Sequence, residues 1–200
     1  MRNFTLKIKQ QFSFIARNKG GTRLTHSDIV VSKFDERWSE IFQSMKQVLS
    51  KSLNDLIIDI EHVGSTSVQG LGAKPILDID IVIENYDVFP QVIQGLESIG
   101  YFHQEEWSFD GREAFGRKDI YTPWDGNATR WMQHHLYVCN KDSKELARHL
   151  LFRDYLRNNP QVVIEYENLK RNLANTVKDR TSYTLGKTEF ISKILEKVTD

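Results

Sequence analysis

The sequence predicts an α+β domain: a mixed β-sheet with helices on one side and a helical C-terminal cap. Three observations carry that prediction. Residues 76–83, Ile-Leu-Asp-Ile-Asp-Ile-Val-Ile, alternate in character with the period of a β-strand. Stretches on either side of it, after Asp35 and from Phe89, repeat apolar residues at helical spacing. Beyond Ser143 the strand pattern stops and three helical stretches follow.

Asp35 suits a helix N-cap. Trp38, Ile41, Phe42, Met45, Val48 and Leu49 then form one apolar stripe to about Leu53, the pattern of a core-facing helix. Leu56-Ile57-Ile58-Asp59-Ile60 reads as a strand running into Glu61-His62-Val63-Gly64. A regular strand turns one of Glu61 and His62 to each face. The 76–83 strand comes next. Phe89, Val92, Ile93, Leu96 and Ile99 mark a second amphipathic helix, ended by Gly100 as a C′ residue. Residues 101–132 mix Trp107, Phe109, Phe115, Tyr121, Trp124 and Trp131 with Gly111, Gly116 and Gly126. They read as short strands and a long loop, which in enzymes often borders a substrate site. Residues 134–139 form a strand, and Ser143 caps a helix to Asn158. Asn159-Pro160 restarts a helix, Asn as cap and Pro at its first position, to about Val177. A last helix runs from Ser182 to Val198, with Phe190, Ile191, Ile194 and Leu195 inward.

Composition narrows the class. Two hundred residues, 40% of them hydrophobic, suffice for one domain with its own core. No stretch approaches the roughly 18 apolar residues of a membrane helix. No apolar run near the N-terminus resembles a secretory signal. The single cysteine, Cys139, excludes an internal disulfide framework and fits the reducing cytoplasm. Charge is uneven although the net charge is zero. Arg2, Lys7, Lys9, Arg17, Lys19 and Arg23 face no acid within residues 1–27, so the rest of the chain is acidic by the same amount. The body therefore has no global field to draw in nucleic acid. Residues 1–28 read as a basic N-terminal extension that could contact nucleic acid locally or be an acid-poor targeting sequence, though its alternating Phe4, Leu6 and Ile8 favour a hairpin docked on the acidic body; residues 29–200 read as the domain.

The 76–83 strand carries the chemistry. Asp78 and Asp80 project from one face with Cα atoms roughly 6.5–7 Å apart, while Leu77, Ile79, Ile81 and Ile83 fill the other. Two adjacent carboxylates on an apolar strand are costly unless neutralised. Mg²⁺ or Mn²⁺ would do so, since such ions are held by one or two carboxylates plus substrate phosphates. Just upstream, Gly64-Ser65-Thr66-Ser67 offers a hydroxyl and backbone N–H groups suited to a phosphate. Lys74, at the strand entrance, could reach the same phosphate or be a solvated surface lysine. Arg112, Arg117 and Lys118 could clamp phosphates from the irregular region or simply be solvated. The six histidines form no zinc-ligand spacing with cysteine. G-x-x-x-x-G-K-[ST], G-x-G-x-x-G and G-x-S-x-G are all absent, which weakens P-loop kinase, dinucleotide oxidoreductase and α/β-hydrolase readings.

The stretch from Ile60 to Asp80, IEHVGSTSVQGLGAKPILDID, resembles the signature of the GrpB family, as do His134-His135-Leu136-Tyr137-Val138 and the run from His149 to Arg157, HLLFRDYLR. The resemblance covers residues 29–198, with Gln69 where proline is expected and Tyr137 where the family often has a second histidine. It implies the nucleotidyltransferase fold, like the catalytic domain of DNA polymerase β. It also implies transfer of an NMP from a nucleoside triphosphate to a hydroxyl of a small molecule or protein. Asp78 and Asp80 would hold the metal and act in catalysis, with Gly64, Ser65 and Lys74 toward the phosphates. The superfamily usually adds a third carboxylate from a later strand, and residues 134–139 contain no acid. Either His135 substitutes as ligand or base, or the chain is a non-catalytic nucleotide- or metabolite-binding module on the same fold. Arg153, beside Asp154 and Arg157, reads as an ion-pair or capping element of the helical cap.

Overall fold

The computed structural model describes residues 29–199; the basic segment and its expected hairpin lie outside the described residues. A first helix, α1 (Arg37–Leu53), precedes strand β1 (Asp59–Val63), and a short 3₁₀ turn (Ser65–Ser67) and a linker lead to β2 (Leu77–Ile83). Then come α2 (Phe89–Ser98), β3 (Tyr101–His103), β4 (Glu113–Arg117) and β5 (His134–Asn140). Helices α3 (Lys144–Asn158), α4 (Pro160–Thr176) and α5 (Arg180–Thr199) complete the chain. The sheet order is β1-β2-β5-β4-β3, with β2 and β5 parallel and every other neighbouring pair antiparallel. Among the described residues no helix is long and apolar enough to cross a membrane.

The sheet has two unlike faces. Ile60, Leu77, Ile79, Ile81, Ile83, Leu136 and Val138 point to one face and pack on Trp38, Phe42, Met45 and Leu49 of α1 and Val92 and Leu96 of α2. The other face carries Asp78 and Asp80 and is partly covered by the C-terminal cap. There Leu146 and Leu150 of α3 pack on Val82 and Cys139, which makes Cys139 a small core residue. Leu156, Val163 and Tyr166 enclose Val68 and Leu71 of the linker in a second core. This is the expected architecture: mixed sheet, helices on one side, helical cap.

Four local expectations need correction. The strand expected at Leu56–Ile60 starts at Asp59, because Asn54–Leu56 form a 3₁₀ turn and Leu56 and Ile57 reach the core from outside the strand. The first helix begins at Arg37, although Asp35 still accepts the Arg37 backbone N–H at 3.0 Å. Asn159 holds the N-cap position of α4 with Pro160 behind it, as expected, but its side chain caps no N–H; its amide instead donates to the Tyr155 carbonyl at 2.7 Å. The last helix starts two residues before Ser182, because Asp179 accepts the Ser182 backbone N–H at 2.8 Å. Ser143, by contrast, caps α3 as expected, accepting the N–H groups of Glu145 and Leu146 at 3.2 Å.

Helix α4 clamps the linker between the Gly-Ser turn and β2. Glu167 accepts the Gly72 N–H at 2.8 Å, and Lys170 Nζ donates to the Gly72 carbonyl at 2.5 Å. Arg171 holds Glu167 at 2.7 Å and the Val31 carbonyl at 3.1 Å. A side chain on residue 72 would stand 2.8 Å from the Ser32 carbonyl oxygen. Lys170 is 1% exposed. Burial, with repulsion from Lys187, pushes its ammonium from 10.5 down to about 7. Between those values the unfolded chain keeps a proton that the folded chain has released, so stability rises with pH across that window and is lost as pH falls toward 7. Lys170→Met should flatten the rise, by up to about 1.4 kcal/mol per pH unit. Thermal melting of both proteins from about pH 6.5 to about 9.5 checks this; parallel curves would mean that Lys170 keeps its charge.

Candidate functional site

The site begins where β1 ends. Gly64 turns the chain at φ 69°, a left-handed conformation that favours glycine. A Cβ there would stand 2.3 Å from Asp78 Oδ2, so the missing side chain is what lets the carboxylate lie against the turn. Ser67 Oγ donates to the Gly64 carbonyl at 2.7 Å, and Arg157 of α3 donates twice to the Ser67 carbonyl, at 3.1 and 2.9 Å. The Ser65 hydroxyl lies within hydrogen-bonding reach of the Tyr166 hydroxyl.

Asp78 and Asp80 share the non-core face of β2, as expected. In register, Asp78 lies between Val63 of β1 and His135 of β5, and Asp80 between Glu61 and Tyr137. His135 Nδ1 is 2.9 Å from Asp78 Oδ1, and the His135 side chain is 54% exposed. Asp80 is fully buried, and His149 of α3 reaches its Oδ2 at 2.7 Å. Asp80 Oδ1 is buried with no hydrogen-bond partner. Burial opposes the charged form of Asp78, but the His135 hydrogen bond and the charges of His135, His149 and Lys187 outweigh it, and its pKa lies below the ordinary carboxylate value. Burial likewise opposes His149⁺, yet the hydrogen bond to Asp80 and attraction to Asp80, Glu145 and Asp78 raise its pKa.

Neighbouring groups divide into site and scaffold. Glu61 takes the site face, where Arg153 Nη1 pairs with it at 2.5 Å and also donates to the His62 carbonyl at 3.2 Å. Arg153 is thus the ion-pair element its sequence context suggests. His62 takes the core face, stacked on Phe42 at 4.6 Å, and burial pushes its pKa down to about 4. His134 is scaffold too: Nδ1 donates to the Met132 carbonyl at 3.0 Å and Nε2 accepts from the Tyr101 hydroxyl at 2.6 Å. Lys74 lies with its ammonium 4.2 Å from the Tyr183 ring centroid, and Lys187 approaches the same ring at 4.8 Å. Arg112 lies over Tyr137 at 4.2 Å and over Phe109 at 4.3 Å, and Arg117 donates to the Met132 carbonyl at 3.3 Å.

Gly64, Ser65, Asp78, Asp80 and His135 therefore meet at one point, with Lys74 on the cap side. Sequence reasoning missed His149 and Lys187 as members. His149 carried a weak signal, one helical turn before Arg153 on the same face; Lys187 carried none.

The donor set fits a hard divalent cation. Each carboxylate gives one oxygen to a histidine and keeps another, Asp78 Oδ2 and Asp80 Oδ1, and the latter is an orphaned buried acceptor. Among the described residues no group of three or more His, Cys, Asp or Glu side chains could hold a metal ion by itself. Any such ion would need oxygen ligands from substrate or water.

The family profile described as GrpB protein matches residues 28–197. The chain is 34% identical over 173 residues to the glutamate-rich protein GrpB of Alkalihalophilus pseudofirmus, covering 86% of this chain and 96% of that protein. The crystal structure of GrpB from Enterococcus faecalis superposes with a TM-score of 0.71 at 32% identity, over 84% of this chain and 96% of that one. A fainter likeness, TM-score 0.49 at 11% identity over 84% of this chain and 47% of that one, extends to the Cid1 poly(U) polymerase. The matched profile takes in both carboxylates, the Gly-Ser turn and the whole cap up to residue 197, and with a relative alike over nearly its full length it makes this chain a member of the GrpB family.

Proposed function

We propose that the protein is a metal-dependent nucleotidyltransferase that moves an NMP from an NTP onto a hydroxyl of a small molecule or protein. The observation that carries this reading is the Asp78–Asp80 pair beside the Gly64 turn, each acid keeping an oxygen that its histidine does not use. Asp78 and Asp80 would hold Mg²⁺ or Mn²⁺, which when bound neutralises charge on the β- and γ-phosphates. The chain's own residues do the rest. Ser65 and the N–H groups after Gly64 take a phosphate oxygen. Lys74 and Lys187, gathered on Tyr183, add positive charge from the cap side. With Nδ1–H donated to Asp78, His135 turns the lone pair of Nε2 toward solvent, where it can accept the proton of an attacking hydroxyl. His149 fixes the orientation of Asp80.

One observation favours a second reading, a non-catalytic nucleotide- or metabolite-binding module. The β5 neighbour of Asp80 is Tyr137 rather than an acid, and Glu61 on the other side is taken up by Arg153. Pyrophosphate release from each NTP with Mn²⁺, across a panel of hydroxyl acceptors, separates the two. Release supports transfer, and tight NTP binding without release supports the module. Under either reading Ser65→Ala should weaken NTP binding by about 1–2 kcal/mol, the scale of one hydrogen bond to a charged group. A lowered melting temperature with unchanged NTP affinity would make Ser65 a turn residue instead.

A further inference from the structure

The two sides of the carboxylate pair differ. On the β1 side stand the Gly-Ser turn and the cap, with Lys187, Tyr166 and Tyr183. On the β5 side the sheet face runs open to its edge. Register defines that strip. His135 lies beside Asp78. The β4–β5 ladder ends at the Phe115–Leu136 pair, and continuing its register sets Gly116 opposite His135. Phe102 of the edge strand pairs with Gly116. One row across the face therefore reads Asp78, His135, Gly116, Phe102.

This row has an unusual surface. A Cβ on Gly116 would stand 2.3 Å from Phe102 Cζ and within 2.9 Å of two further ring atoms, so the Phe102 ring lies over the bare glycine. Shielding a strand glycine with an aromatic ring accounts for the inner face of Phe102. The outer face is left uncovered, with Phe102 45% exposed. The parallel row, Asp80, Tyr137, Ala114, is closed instead: Arg112 covers the Tyr137 ring at 4.2 Å, and Ala114 is 4% exposed.

Phosphoryl transfer is in line, so the attacking hydroxyl arrives opposite the leaving pyrophosphate. If the phosphates lie toward the Gly-Ser turn and the cap, the hydroxyl arrives from the β5 side, at His135. We propose, resting on the transferase reading, that the His135–Gly116–Phe102 strip is the acceptor subsite. It takes a small molecule that carries both a hydroxyl, placed at His135, and a flat aromatic or heteroaromatic ring, stacked on Phe102 two strand spacings away, about 10 Å.

The test needs no turnover. Phenylhexanol, whose extended chain sets ring and hydroxyl about 10 Å apart, is the probe, compared with benzyl alcohol and cyclohexylhexanol. Saturation-transfer NMR on the full chain with Mn²⁺ omitted should show strong transfer to the phenylhexanol ring. Transfer should fall at least five-fold in Phe102→Ala and in Phe102→Leu, the latter keeping apolar bulk but not a flat ring. Melting curves of both variants verify that each is folded. Equal transfer in wild type and Phe102→Ala, or equal binding of cyclohexylhexanol, overturns the subsite. The transferase reading fails separately. If no acceptor elicits pyrophosphate but ring binding still depends on Phe102, the subsite stands as a binding site and the catalytic reading falls. If pyrophosphate release depends on Asp78 and Asp80 while ring binding ignores Phe102, the reverse holds.

Discussion

Replacing Asp78 and Asp80 together by Asn should abolish saturable Mn²⁺ binding in calorimetry and any pyrophosphate release, while leaving the protein folded. Both effects follow from the same geometry. The two acids are the pair of neighbouring hard oxygen donors on the non-core face of β2, and an amide oxygen is a far weaker ligand for such an ion than a carboxylate. The fold should tolerate the change because neither acid packs in the apolar core. An Asn at position 80 can still accept the Nδ1–H of His149, and one at position 78 that of His135. Each histidine then loses a charged partner, but the two carboxylates no longer repel one another. The melting temperature at neutral pH should fall modestly, because the fold holds the Asp78 carboxylate below its ordinary pKa and so gains stability from its charge. Undiminished Mn²⁺ binding by the double variant would remove the metal site from the proposal, and unfolding of the variant would show that the acids serve the fold first.

Arg153→Met should destabilise the protein by about 3 kcal/mol and weaken Mn²⁺ binding with it. The Arg153 side chain is 10% exposed and joins α3 to β1 through Glu61 and the His62 carbonyl. Methionine keeps the apolar bulk, so the loss isolates the guanidinium. Glu61, 26% exposed, would lose its hydrogen-bonded ion pair, and a buried carbonyl would lose the Arg153 donor. Function follows because α3 also carries His149, one turn away on the same face, and a loosened helix no longer holds Asp80. Arg153→Lys should recover little, since one ammonium cannot reach Glu61, the His62 carbonyl and Asp154 as a planar fork does. Urea denaturation gives the stability change. A loss under about 1 kcal/mol would class the contact with ordinary surface ion pairs.

Much of the fold was legible because it is written in local periodicity. The alternation in residues 77–83 fixed the face of Asp78 and Asp80, and the stripe from Trp38 to Leu49 fixed the buried side of α1. The Ser143 cap and the Gly100 stop depend on backbone groups within a few residues, and both were found. Boundaries failed where two signals competed. Leu56 and Ile57 look like a strand because they are apolar and branched, yet they serve as packing beside a turn. At the last helix, Asp179 accepts the Ser182 backbone N–H, so the helix begins ahead of Ser182.

The sequence alone determined the chemical content of the site: two carboxylates on one strand face, a glycine-serine turn just before them, and a histidine on a following strand. Tertiary structure alone decided the partners. Parallel pairing of β2 with β5 set His135 against Asp78, and packing on the core face gave His134 to Tyr101. The crossing of α3 over the sheet brought His149 to Asp80 across 69 residues of sequence. The register of the edge strands placed Phe102 over Gly116 in the same row. A strand's faces follow from bond geometry within a few residues, whereas which strands pair, and where a helix crosses them, depends on the burial of the whole apolar core.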